Sequence, residues 1–149
     1  MFSGRFDHAI DDKGRVSIPA RFREKLEREG SDRLYIANSK FEGKRCLELF
    51  PPAEWTNLLE KIRNKSRFDD AVRHFEMYYV GGAFEVPVDK QGRILIPPKL
   101  RDYAGLGREV TFSASTDHFQ LWDKVAIEEV LAAAEKRFED PEFFSKLGL

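Results

Sequence analysis

At 149 residues, with 42% hydrophobic and 13% aromatic side chains, the chain is long enough to bury roughly 68–70 per cent of its unfolded surface in one core without a disulfide or metal staple. No apolar run approaches the about 18–20 residues a bilayer crossing needs, and the opening MFSGRFDHAIDDKGR lacks the apolar core of a secretion signal, so a cytoplasmic, membrane-free protein is expected. A net charge of −1 excludes a uniformly basic polyanion binder, and the lone Cys46 excludes an internal disulfide and reads as a packed small side chain.

Along the chain, Phe6, His8 and Ile10 alternate with Asp7 and Ala9, the period of a strand with one buried face. His8 shares that face and reads as a core histidine. Asp11-Asp12-Lys13-Gly14 then puts an Asx residue first and glycine fourth, the chemistry of a tight turn that needs a left-handed glycine. Beyond it Val16 and Ile18 fall on one side, Arg15 and Ser17 on the other, which predicts a hairpin with an oily underside and an outward arginine. Pro19 marks a helix start, with Phe22 and Leu26 on its inner face. Short strands follow near Leu34 to Ala37 and Leu47 to Phe50. After Pro51-Pro52, Trp55, Leu58, Leu59 and Ile62 make an amphipathic stripe, and Phe68, Val72 and Phe75 make another beyond the basic stretch Lys61 to Arg67.

The order then repeats. Phe84, Val86 and Val88 predict a strand, Asp89-Lys90-Gln91-Gly92 a turn, and Ile94 and Ile96 lie opposite Arg93 and Leu95. A helix begins at Pro97, carries Leu100, Tyr103 and Ala104 inward and stops at Gly105. Strands are expected over Val110 to Ser113 and Phe119 to Trp122, then a helix with Ile127, Val130, Leu131, Ala134 and Phe138 inward. The match is literal at the turns: DDKGRVSIPARFR at 11–23 returns as DKQGRILIPPKLR at 89–101, an offset of 78 positions that also pairs Gly4 and Phe6 with Gly82 and Phe84. The fold class expected is mainly β with helices (α+β): two ββαββ units in one chain. The units span 1–52 and 81–124, with a helical extension at 53–80 and a C-terminal helix and tail at 125–149. A unit of about 45 residues with four short strands buries too little alone, so both should share one core.

Charge is unevenly placed. Residues 1–23 carry a balance of +2, residues 82–101 another +2, and residues 128–149 −3, an asymmetry that matters to a polyanion even when the total is neutral. Arginine can bond the O6 and N7 edge of guanine bidentately, lysine can neutralise phosphate, and glutamine can pair with adenine. Lys13 and Arg15 in one turn, and Lys90, Gln91 and Arg93 in the other, are therefore candidate readers of double-stranded DNA, since a two-stranded ribbon can enter the major groove. Arg5, Arg21, Arg23, Lys99 and Arg101 flank them as candidate phosphate contacts. Asp11 and Asp89 are assigned to bonding their own turns and orienting their own arginines, with Gly14 and Gly92 completing the turn.

With DxxxR read at Asp11 and Arg15 and again at Asp89 and Arg93, and with the intervening helices at this spacing, the chain closely resembles the MraZ family of bacterial transcriptional regulators over nearly its whole length. The resemblance implies a swapped-hairpin β core of the AbrB type, in which the two halves exchange hairpins as an intrachain pseudo-dimer. It further implies a ring-like homo-oligomer in the nucleoid that binds tandem promoter repeats and represses its own division and cell-wall operon. Gln91 stands where the first turn has Lys13, so the halves need not contact DNA alike.

Two other readings stay open. An antitoxin-like module of the same fold would use its tail on a protein partner, and a small β-core enzyme would use Asp11, Asp89 and the arginines on a phosphorylated substrate. Against an enzyme, the chain has no paired Cys or His set, no nucleotide-binding glycine loop and no serine nucleophile motif, so no catalytic residue, metal or cofactor is expected. The tail aromatics Phe138, Phe143 and Phe144 either cap this chain's own core or dock on a neighbour.

Overall fold

Neither turn closes the hairpin its chemistry suggests. In the computed structural model, which describes residues 1–149, strand β1 (Arg5–Ala9) enters the first turn and β2 (Arg15–Ser17) leaves it, yet no ladder joins them. After β2 come α1 (Ala20–Arg28), β3 (Arg33–Phe41), β4 (Lys44–Phe50), α2 (Pro52–Arg63), α3 (Asp70–Phe75) and a π-helical turn at Glu76–Val80. The second copy runs β5 (Phe84–Pro87), β6 (Arg93–Leu95), α4 (Pro98–Tyr103), β7 (Glu109–Ser115) and β8 (His118–Asp123), followed by α5 (Lys124–Arg137) and α6 (Phe143–Lys146). The fold is mixed α+β with a β core, as the sequence predicts.

The strands pair across the repeat. A six-stranded antiparallel sheet has the order β1-β7-β8-β4-β3-β5, and β2 pairs only with β6. Thus β1 of the first copy completes the second copy's β7, from Arg5 opposite Ser113 to Ala9 opposite Glu109. Reciprocally, β5 of the second completes the first copy's β3, from Arg33 opposite Pro87 to Ile36 opposite Phe84. The order reads the same from either edge once the copies are exchanged, with the pseudo-twofold running between β4 and β8, where Glu48 faces Gln120. The expected hairpin is corrected to an opened one, because each strand leaving a turn finds its partner in the other copy rather than in its own.

Alternation then builds two layers. On one face of the sheet Leu34, Ile36, Leu47, Leu49, Phe112, Phe119 and Leu121 meet the underside of the β2/β6 ribbon and α1 and α4, forming a core of 19 buried residues. On the other face, Ala37 and Phe50 pack beneath Trp55 and Tyr79, while Cys46 and Trp122 pack beneath Ile127 and Val130 of α5. Burial pushes the Cys46 thiol up to about 12, which keeps it an inert packing group. α1 and α4 start behind Pro19 and Pro97, which sit at their N-caps. The second stripe expected of the linker is shorter than predicted: the Asp69 side chain accepts from Ala71 N at 2.8 Å, so α3 starts beyond Phe68, which is left 86% exposed. Phe138 is likewise exposed, one residue past the end of α5.

Candidate nucleic-acid interface

Antiparallel pairing of β2 with β6 puts both repeated arginines on one surface. Arg15 lies opposite Leu95, Val16 opposite Ile94, and Ser17 opposite Arg93. Directly opposed residues share a face, so Val16 and Ile94, each 1% exposed, point into the core while Arg15, Ser17, Arg93 and Leu95 form the outer surface. The arginines are diagonal neighbours, with backbones about 7–8 Å apart. Two further bonds lengthen the ribbon into the turns: Ile18 N donates to Gly92 O at 2.9 Å and Ile96 N to Gly14 O at 3.0 Å. The turns therefore flank the ribbon at its two ends, about 14 Å apart at ~3.4 Å per residue.

Each turn is built the same way. Asp11 Oδ1 accepts from Lys13 N at 2.9 Å and Arg15 N at 2.8 Å, and its Oδ2 accepts from Arg15 Nε at 2.8 Å. In the second copy Asp89 Oδ1 accepts from Gln91 N at 2.8 Å and Arg93 N at 2.9 Å, and Oδ2 from Arg93 Nε at 3.0 Å. The backbone bond from the arginine, with the guanidinium bond behind it, holds each carboxyl below the usual aspartate range. Gly14 and Gly92 supply the left-handed backbone, with φ of +84° and +77°. Because the aspartate engages Nε, both terminal nitrogens of each arginine are left without a protein partner. The side chains keep 34% and 30% of their surface in solvent. A guanidinium held by its inner edge presents its Nη pair as a fixed two-donor fork.

The flanking cations divide. Lys13, Lys90 and Gln91 are exposed on the turns. Arg23 crosses to the other copy: its Nη2 donates to Lys90 O at 2.8 Å, and its Nε lies 3.4 Å from Glu27. By the same symmetry Arg101 lies against the first turn, beside Gly14, with Nε donating to Leu106 O at 3.4 Å. Arg5 is exposed on β1 and Lys99 on α4, and Arg21 is exposed 3.8 Å from Glu24. The crossing of Arg23 and Arg101 has no local sequence signal, since it depends on the strand exchange.

His8 is half-buried and edge-on to Phe112 at 5.2 Å between centroids; burial lowers its pKa against a raising backbone bond from Ser17. His118 stands in an ionic network on the far face of the sheet. Its Nδ1 is 2.6 Å from Asp117 Oδ1 and its Nε2 3.3 Å from Glu48 Oε2, its ring stacks on Phe50 at 4.4 Å, and Tyr79 donates to Glu48 Oε1. Two carboxylates facing both ring nitrogens require both to carry protons. Burial opposes that charge, yet the hydrogen bonds from Glu48 and Asp117 outweigh it and raise the histidine, while Glu48, also disfavoured by burial, is lowered by His118 and Tyr79. The network ties the π-helical turn to β4 and β8. No group of His, Cys, Asp or Glu has the geometry to hold a metal ion, and no helix is long and apolar enough to cross a membrane.

Fold and site together define a duplicated, strand-exchanged β-ribbon protein with one Asp–Arg turn from each repeat on a shared outer face. A family model described as "MraZ protein, putative antitoxin-like" matches residues 1–77 and 79–143. The chain belongs to the MraZ family. Among its relatives, proteins named transcriptional regulator MraZ from Acetivibrio thermocellus and Thermomicrobium roseum are 42% identical over 124 residues and 43% over 136. The first alignment covers 83% of this chain and 82% of the relative, the second 89% and 91%. A third so named, from an Anaeromyxobacter species, is 35% identical over 147 residues, covering 99% of this chain and 100% of its own. Family and names point to a regulator of transcription rather than to an enzyme acting on a phosphorylated substrate.

Proposed function

We propose that the protein is a sequence-specific DNA-binding repressor that works from the cytoplasm and nucleoid on its own division and cell-wall operon, gripping tandem promoter repeats as a ring-like homo-oligomer. The observation that carries the reading is the outer face of the β2/β6 ribbon, where Arg15 and Arg93 are each held at Nε by an aspartate and keep their terminal nitrogens free. A ribbon of this width suits a major groove about 12 Å across. The pinned guanidinium forks match the O6 and N7 edge of guanine, with Lys13, Lys90 and Gln91 at the ribbon's two ends for phosphate or adjacent bases. Arg23 and Arg101 brace the turns, and Arg5, Arg21 and Lys99 add charge at the periphery.

A chain of net charge −1 holds DNA weakly by field alone, so affinity comes from repetition: several ribbons on successive repeats act at high effective concentration. Titration of the full-length protein against its own promoter fragment over a range of salt tests this. The expected result is tight binding that falls steeply with salt and drops to the non-specific level when the repeats are scrambled. Equal affinity for scrambled DNA contradicts sequence reading.

A further inference from the structure

The helices that follow the fourth strand of each repeat, α2 and α5, occupy equivalent places on the sheet face away from the ribbon, yet their ends have opposite chemistry. The end of α2 runs into Lys61, Arg63, Lys65 and Arg67, four cations with no acid between them, all exposed and none paired with a carboxylate. Phe68 stands exposed beside them. The end of α5 carries four acids, Glu135, Glu139, Asp140 and Glu142, against Lys136, Arg137 and Lys146; of the acids only Asp140 has an ion-pair partner, Lys146 at 3.7 Å. Phe138, Phe144 and Leu147 are the exposed apolar groups there.

One chain cannot satisfy both surfaces. β4 and β8 are antiparallel, so the tips of the β3–β4 and β7–β8 hairpins point to opposite ends of the sheet. The end of α2 lies at the second tip, where Lys61 and Asn64 share a cavity with Asp117 and His118. The end of α5 lies at the first, where Phe138 and Phe143 share one with Phe41 and Glu42. We propose that the acidic, aromatic end of α5 with α6 docks on the basic 61–68 segment of a second copy of this chain. Such a contact joins two different surfaces head to tail, the kind that propagates until it closes into a ring. It gives the tail aromatics the second of their two sequence readings. DNA is a poorer occupant of the basic segment, because the segment sits on the sheet face opposite the ribbon.

The inference rests on the self-association half of the proposed function and is tested apart from DNA. Sedimentation of the full chain is compared for four proteins: the parent, Arg63→Glu/Arg67→Glu, Glu139→Lys/Glu142→Lys, and the variant carrying all four changes. The parent is expected as an assembly, and each double variant as the single chain of 17.3 kDa, because like charges then face each other. The four-fold variant and an equimolar mixture of the double variants are expected to reassemble, an outcome no simple folding defect gives. A monomeric parent, double variants of parental size, or failure of both restored combinations overturns the proposal. So does an intact assembly with weakened DNA binding in Arg63→Glu/Arg67→Glu, which makes the segment a phosphate contact. Parental DNA binding in ribbon variants whose assembly is intact would instead count against the repressor reading alone.

Discussion

Arg23 of the first repeat lies across Gly92 in the turn of the second, so close that a Cβ there would sit 2.9 Å from its Nη1. The strand exchange creates this contact, and it makes each turn depend on a helix from the other copy.

Gly92→Ala therefore meets two penalties, a left-handed backbone at φ +77° and the Arg23 guanidinium. The backbone alone costs about 1–2 kcal/mol. Gly105→Ala is the control, with φ +61° and nothing within 4 Å of the added carbon. Denaturant unfolding should show the larger loss for Gly92→Ala, and promoter affinity should fall in that variant and not in the control.

Because β1 and β5 each complete the other copy's half of the sheet, the halves cannot unfold separately. Phe119 is fully buried, 4.7 Å from Phe2 and 5.5 Å from Phe22 between ring centroids. Phe119→Ala should cost about 3–5 kcal/mol. Circular dichroism and tryptophan fluorescence should report one coincident transition in both proteins; separate transitions for Trp55 and Trp122 would contradict a shared core.

The His118 clasp gives stability a defined pH dependence. The pKa of His118 is raised in the folded state, so its contribution is complete below the ordinary histidine value near 6.5 and is lost as pH rises through the raised value. Glu48 is lowered, so its contribution is present above the ordinary glutamate value near 4.3 and is lost as pH falls through the lowered one. The melting-temperature gap between the parent and His118→Gln should be widest between those limits and narrow on the alkaline side. A gap independent of pH would show that His118 acts through its stacking on Phe50 alone.

Much of this was legible because the determining signals are local. Period-two alternation placed Val16 and Ile94 inward and Arg15 and Arg93 outward, and an Asx residue ahead of a left-handed glycine specified both turns. What the chain did not disclose depends on long-range pairing. Nothing near Asp11 says that β2 will leave its own hairpin for β6; only the family resemblance carried an exchange between the halves, and the residues themselves read as a closed hairpin at each turn. The Glu48–His118 pair joins residues 70 positions apart through the β4/β8 register, and Phe68 fitted an apolar stripe that the Asp69 cap cuts off.

On the proposed function, two aspartate-braced arginines on one ribbon read bases. Competition binding of the parent, Arg15→Ala, Arg93→Ala and the double variant, on promoter and scrambled DNA at fixed salt, tests it most directly. Each single change should cost about 1–3 kcal/mol on promoter DNA and much less on scrambled DNA, with the double variant near the non-specific level while its fold and assembly size are unchanged. Parental promoter affinity in a folded double variant would contradict the claim.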